Sequence, residues 1–351
     1  MWQPTRFKAG ERVVVRSKED ILATLDAAGC LDDLPFMPEM LQLCGRELTV
    51  AAAAHKTCDP AYKTGGRRLD RAVHLAGSRC DGSAHGGCQA ECNLFWKDAW
   101  LKPVPAASGA TATPQGAALA PAEATATATA QAAAAGARLT ANEAAALPTG
   151  DGERYTCQAT ELVKASTQLP WWNPRQYFLD VSSRNHSFGV AAKVLAMSWS
   201  RQLLKLPLGH RVWSRLNDWV HRRMTGRPAP RVHGLIPQGG KTPTGALELQ
   251  PGEVVRVKRL SEIETTLDCN SKNRGMWFDA EQVAFCERRF VVRRRVDRII
   301  DERTGKMMEL KNPCITLEGV LCSGHVSSER LLCPRAITPY WREVWLERAE
   351  P

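Results

Sequence analysis

Gly10-Glu11-Arg12-Val13-Val14-Val15 and Gly252-Glu253-Val254-Val255-Arg256-Val257 lie 242 residues apart and fall into register without a gap. The match runs outward from this pair at one constant offset. Ile21, Thr24, Leu25 and Asp26 lie on Ile263, Thr266, Leu267 and Asp268. Phe36, Glu39, Cys44, Arg46 and Val50 lie on Phe278, Glu281, Cys286, Arg288 and Val292, so 13 of the 41 pairs from Gly10 to Val50 are identical. Asp59, Gly77 and Cys80 still pair with Asp301, Gly319 and Cys322, and after a small insertion Phe95–Leu101 matches Tyr340–Leu346. Chance does not hold one offset over so long a stretch; a tandem duplication does.

Each copy reads the same way. Val13 and Val15, like Val255 and Val257, alternate with more polar neighbours, the period of a half-buried strand. A short helix is expected from Ser17 through Asp26 and from Ser261 through Asp268, with Ser17 and Ser261 as N-caps. A second is expected over Phe36–Cys44 and Phe278–Cys286. Strands follow at Leu48–Ala52 and Phe290–Ile300, then at Ala72–Ala76 and Cys314–Val320, with Asp301–Gly305 as a hairpin turn. The expected fold class is α+β: two homologous small β-barrel-like modules, SH3-like by analogy, with inserted short helices.

The domain boundaries follow from composition. Residues 1–102 form the first repeat and 241–351 the second. Residues 103–150 are rich in Ala, Thr and Pro, bury too little apolar surface to offset their ordering entropy, and read as a flexible linker. Residues 151–240 form a Trp-rich basic segment, with amphipathic helices at Ser187–Leu206 and Arg211–Met224. Val190, Val194, Met197 and Leu204 share one face of the first helix by their spacing, and Val212, Leu216, Trp219 and Val220 line the second. Between 187 and 224, seven Lys and Arg residues face Asp218 alone. Such a surface suits an anionic membrane or a protein partner, and nucleic acid is a further candidate. The plainer alternative is a helical hairpin packed on the barrels with a solvated basic rim.

The 351-residue chain carries a net charge of +10 and twelve cysteines. Met1–Arg16 lacks the apolar run of a secretory signal, so a cytoplasmic, membrane-associated location and reduced thiols are expected. No apolar stretch is long enough to span a bilayer. Cys58, Cys80, Cys88 and Cys92 fall within 35 residues, three of them in the Gly-rich run Cys80-Asp-Gly-Ser-Ala-His85-Gly-Gly-Cys88-Gln-Ala-Glu-Cys92. They suit a four-thiolate shell for structural zinc or an iron–sulfur cluster, or three thiolates with His85. The second copy keeps Cys286, Cys322 and Cys333 but has Ile300 and Arg330 where the first has Cys58 and Cys88. Its set is incomplete, although His325 could join it. The plainer reading is that shared cysteines are small buried core residues.

No phosphate-binding loop, dinucleotide fingerprint, zinc-protease motif or nucleophile elbow occurs. The competing catalytic reading is an iron–sulfur or cysteine-dependent enzyme using Cys88 or Cys92 with His85. Glu39/Glu281 and Asp26/Asp268 recur in both copies, which points to folding roles. Cys80–His85 resembles the signature of CDGSH iron–sulfur proteins, with Ala84 inserted before the histidine and no upstream Cys-x-Cys pair. Arg79–Cys88, Phe95–Trp100 and Tyr340–Trp345 resemble a bacterial protein family of unknown function; that resemblance implies bacterial cytoplasm and carries over no functional residue. The leading expectation is a non-catalytic metal-binding protein with a basic docking surface, and the alternatives are the enzyme above or a nucleic-acid-binding protein.

Overall fold

A computed structural model describes residues 2–62, 64–104, 147, 149–206, 209–327 and 330–350. Nearly all of the expected linker 103–150 lies outside the described residues. Helix and strand each contribute about 24%, in several antiparallel sheets with one half-barrel, so the chain is α+β.

In the first half, β1 (Arg12–Val15) leads through α1 (Lys18–Leu22) and the small ribbon β2 (Cys30–Leu31) and β3 (Leu34–Pro35) to β4 (Glu47–Ala53). β5 (Lys56–Asp59) and β6 (Gly65–Arg68) form an excursion before β7 (Ala72–Leu75), β8 (Trp96–Lys97) and β9 (Leu101–Pro103). The main sheet runs β8-β7-β4-β1-β9, and β10 (Thr167–Gln168) extends the β6-β5 sheet. Three helices follow: α2 (Pro174–Ser182), α3 (Phe188–Gln202) and α4 (His210–Thr225). The second half has β11 (Val254–Val257), α5 (Leu260–Glu264), the ribbon β12 (Lys272–Asn273) and β13 (Met276–Trp277), then β14 (Arg289–Ile300), β15 (Met307–Leu317) and β16 (Leu346–Arg348). Its sheet runs β15-β14-β11-β16.

The same side chains do the same work in both halves, at an offset of 242 residues for the Phe, Thr and Asp pairs and 245 for the tryptophans. Phe36 packs edge-on against Trp96 and Trp100 at 6.2 and 5.1 Å between centroids; Phe278 does so against Trp341 and Trp345 at 6.0 and 5.1 Å. Trp100 Nε1 donates to Thr24 Oγ1 at 3.1 Å and Trp345 Nε1 to Thr266 Oγ1 at 3.0 Å, which gives each indole the partner that burial demands. Asp26 Oδ1 accepts from Ala28 and Cys30 N, and Asp268 Oδ1 from Asn270 and Lys272 N, fixing the turn into each ribbon. The antiparallel step Val73–Trp96 recurs as the lone bridge Ile315–Trp341.

Several local expectations are corrected. Both first helices are only five residues long; Ser17 caps one, but Arg259, which aligns with it, precedes the other, and Ser261 lies inside that helix. The expected second helices are six-residue 3-10 turns, Pro38–Leu43 and Ala280–Phe285. Such turns are tight connectors, and they end here where the chain must enter a strand. In α4, Val212 and Trp219 are 64% and 63% exposed, and the inner face carries Asn217 and His221 instead. Ser200 Oγ donates to Asn217 Oδ1 at 2.9 Å, so α3 and α4 share a polar pair beside the apolar cluster of Ala191, Val194 and Met197 on which Val220 and Met224 pack.

The halves dock through the long β14–β15 hairpin, which turns at Asp301–Lys306 and lies along the loop between β7 and β8. Gln89 N donates to Arg298 O at 3.1 Å, and its Oε1 accepts from Asp297 N at 2.6 Å. Ile300 N donates to Cys88 Sγ at 3.3 Å, and Arg293 and Arg294 pair with Glu91. The cysteine loop of the first half is thereby covered by the second.

Candidate metal centre

The loop Cys80–Cys92 is built from its base upward. Cys80 N donates to Cys92 O at 2.9 Å, and Arg79 bridges Asn93. Gly82 has φ +72°, and a Cβ there would sit 2.0 Å from Cys88 O, so only glycine lets the loop close. Gly82 O accepts from His85 N and Gly87 N, both at 3.0 Å. The 3-10 turn Pro38–Leu43 carries the buried Glu39 beneath the loop. Its Oε1 accepts from Ala84 N at 3.2 Å, meets His85 Nδ1 at 2.6 Å, and is 3.8 Å from the Cys80 thiol. Glu39 Oε2 is buried and accepts no hydrogen bond among the described residues.

The second half repeats the clamp with its ligand-type residues less closely gathered. Gly324, at φ +67°, stands for Gly82, and a Cβ there would meet Arg330 O and Cys333 N at 2.7 Å. Glu281 accepts from Val326 N at 2.6 Å and Ser323 Oγ at 2.6 Å. The carboxylate-to-backbone bond is thus common scaffold, and Cys322 and His325 lie near enough to Glu281 to feel its charge, but among the described residues only the Glu39, Cys80 and His85 group has its ligand atoms within 4.8 Å of one another.

His85 Nε2 lies 3.0 Å from Thr156 O. A carbonyl only accepts, so Nε2 carries a proton, and Nδ1 faces Glu39 and Cys80. A histidine whose remote N–H is held by a backbone carbonyl is the usual arrangement when its other nitrogen ligates a metal. Ligand atoms of Glu39, Cys80 and His85 lie within 4.8 Å of one another.

Thr156 also brings in Cys157. Gln158 fixes that segment in the core by accepting from Phe95 N and donating to Pro35 O and Phe95 O. Cys80, His85, Cys88, Cys92 and Cys157 together line one cavity of about 40 Å³, closed by Met37, Phe95 and, from the second half, Ile300 and Arg335. That is room for a single small species. Burial pushes the Cys80 thiol well up, helped by Glu39 and Cys92. Burial likewise pushes Cys92 up to about 12 and Cys157 up to about 11, and neighbouring thiols add to both. Crowded thiols in a dry cavity keep their protons, and a divalent cation reverses that balance by displacing them.

Four of the five residues expected to bind metal line the cavity, but among the described residues only Cys80 and His85 of these belong, with Glu39, to a group whose ligand atoms lie within 4.8 Å of one another. Cys58 does not line it. β5 pairs with β6 and turns its thiol against Cys333 of the second half, while Cys58 O accepts from Arg335 Nη1 at 3.0 Å. Cys157, from outside the repeat, stands nearby instead. No sequence motif marked it, because 65 residues separate it from Cys92. Glu39 was detectable through its recurrence, though only as a folding residue. For the enzyme reading, the direction at Cys92 is unfavourable: an activated nucleophile needs a lowered thiol, and burial raises this one.

A second feature is the outer face of α3 and α4. Phe188 and Trp199 are 76% and 64% exposed, and with Val212 and Trp219 they intersperse the exposed Lys193, Arg215, Arg222 and Arg223. Asp218, the one acid of these helices, is bound to Arg231 at 2.9 Å. No helix among the described residues is long and apolar enough to cross a membrane. Compared with known proteins, the chain matches no family model and no curated protein.

Proposed function

We propose that this chain is a non-catalytic metal-binding protein. Cys80, Cys88 and Cys92 with His85 supply the four ligands for one zinc ion, with Cys157 lining the same cavity, and the ion clamps the loop Cys80–Cys92 against the second half. The observation that carries this reading is the buried group Glu39, Cys80 and His85, whose ligand atoms lie within 4.8 Å of one another, with Cys88, Cys92 and Cys157 lining the same cavity. The unpartnered Glu39 Oε2 beside His85 supports it, since a buried acceptor without a donor suits a cation. The small volume favours one ion over an iron–sulfur cluster, which must also house its sulfides. Elemental analysis of protein purified without chelators should find one zinc per chain and no visible absorption. Iron with a visible band would favour the cluster, and metal-free protein would sink both.

The recurring Phe–Trp–Trp clusters, indole–threonine bonds and glutamate clamps support reading the halves as copies of one small barrel-like module. The incomplete second copy then serves as a lid on the first. The exposed Trp and Arg residues of α3 and α4 support a docking surface for an anionic membrane, where aromatic rings seat at headgroup depth beside basic side chains. Flotation with vesicles containing anionic lipid should carry the protein upward at low salt. Changing Lys193, Arg215 and Arg222 together to Glu should abolish this, whereas no flotation of the parent protein refutes the docking role.

A further inference from the structure

Lys97 and Arg342 occupy matching places, each directly after the buried tryptophan of its half, and both are at least nine-tenths buried. In the first half the cation is matched. Lys97 Nζ donates to Asp32 Oδ2 at 3.0 Å and to Asp70 O at 3.1 Å. At the 242-residue offset Asp32 becomes Arg274, so the second half sets a guanidinium where its counterpart has a carboxylate.

Arg342 consequently has no carboxylate partner among the described residues. Its Nη1 donates to Asn312 O and reaches Cys314 Sγ at 3.5 Å, and its Nη2 donates to Arg274 O at 3.1 Å. Its buried Nε–H has no acceptor among the described residues. These two arginines, with Arg295 and Lys311, line a cavity of about 140 Å³ beneath the Thr244–Ala246 segment. The carboxylate on this wall is Glu343, and its charge is already engaged. It accepts from Arg295 Nη1 at 2.8 Å and from the backbone N–H groups of Leu247, Glu248 and Leu249.

We propose that this cavity binds a phosphorylated small molecule, its phosphoryl group replacing the carboxylate that Asp32 provides in the first half. Arg342 Nε, the Arg274 guanidinium and the Lys311 ammonium supply the donors, while Arg295 stays paired with Glu343. Taking a guanidinium from water without a counter-charge is expensive, and a doubly charged tetrahedral anion can meet several donors at once. The cavity has room for a phosphoryl group and a few more atoms, which selects a compact ligand.

Inorganic phosphate and pyrophosphate are the probes, titrated calorimetrically into the full chain at constant ionic strength against chloride. The parent should bind at least one of them. Arg274→Asp should keep the parent's melting temperature, because it recreates the Asp–cation pair of the first half, and should bind at least about tenfold more weakly. Arg342→Gln should weaken binding similarly, so the two variants together separate anion loss from misfolding. Vesicles containing phosphatidic acid form the last arm. Binding to vesicles that Arg274→Asp abolishes, without binding of the free anions, would overturn the small-molecule site. So would silence of the parent toward both anions, or unchanged affinity in both variants.

Discussion

Replacing Cys92 by serine should empty the metal centre, while the same change at Cys58 should leave metal content unaltered. Cys92 lines the cavity with Cys80, Cys88, Cys157 and His85, and Cys58 faces Cys333 instead. Losing a first ligand should weaken binding by more than the roughly 10–100-fold that follows loss of an outer-shell partner. Because the site forms only in the folded chain, binding energy is folding energy, and the Cys92 variant should melt earlier in the presence of zinc but not in the presence of chelator. Cys58→Ser should lower the melting temperature equally in both conditions, because it disturbs packing between the halves. Equal metal loss in the two variants would return Cys58 to the ligand set and contradict the assignment of the cavity.

The second large effect is expected at Asp180, which docks α2 onto β5. Its carboxylate holds Lys56 Nζ at 2.6 Å and lies 3.0 Å from His55 Nε2, with all three side chains buried. Burial drives the Lys56 ammonium downward and Asp180 opposes that shift. Asp180→Ala leaves an uncompensated buried cation, and truncating one member of such a pair typically costs about 3–5 kcal/mol. Urea unfolding should report a loss of that size, and adding Lys56→Met should recover most of it by removing the stranded charge. A loss below about 1 kcal/mol would place this pair with exposed ion pairs and would mean that the docking rests on apolar contacts. Asn185 should then be the stronger anchor, since it both donates to and accepts from the Ala53 backbone at 2.8 Å.

What could be read from the chain, and what could not, divides by the range of the interaction. The matched residue pairs were legible because each answers to a local need: Thr24 and Thr266 to the indole above them, Asp26 and Asp268 to the turn beyond. The matched Phe–Trp–Trp clusters follow from the same alignment. Gly82 was legible as a loop residue, though not as the point where Cys88 O passes within reach of a Cβ. Helix type was not legible, since Phe36–Cys44 carries a helix-like apolar spacing that a six-residue 3-10 turn also satisfies. Periodicity also could not tell a buried face from an exposed one. Val212 and Trp219 are exposed among the described residues, while Asn217 and His221 are buried and Val220 and Met224 pack on the apolar cluster of α3. Cys58 and Cys157 exchange places for the same reason. One is near the loop in sequence but turned away by strand pairing; the other is distant in sequence but carried in by Gln158 and Thr156.

X-ray absorption at the zinc edge of the protein as purified tests the centre most directly. A first shell dominated by sulfur at about 2.3 Å, with at most one imidazole nitrogen at about 2.0–2.1 Å, is the expected result. Zinc surrounded by light atoms alone, or no zinc in the natively purified chain, would contradict the proposed centre and leave Glu39, Cys80 and His85 as a hydrogen-bonded clamp.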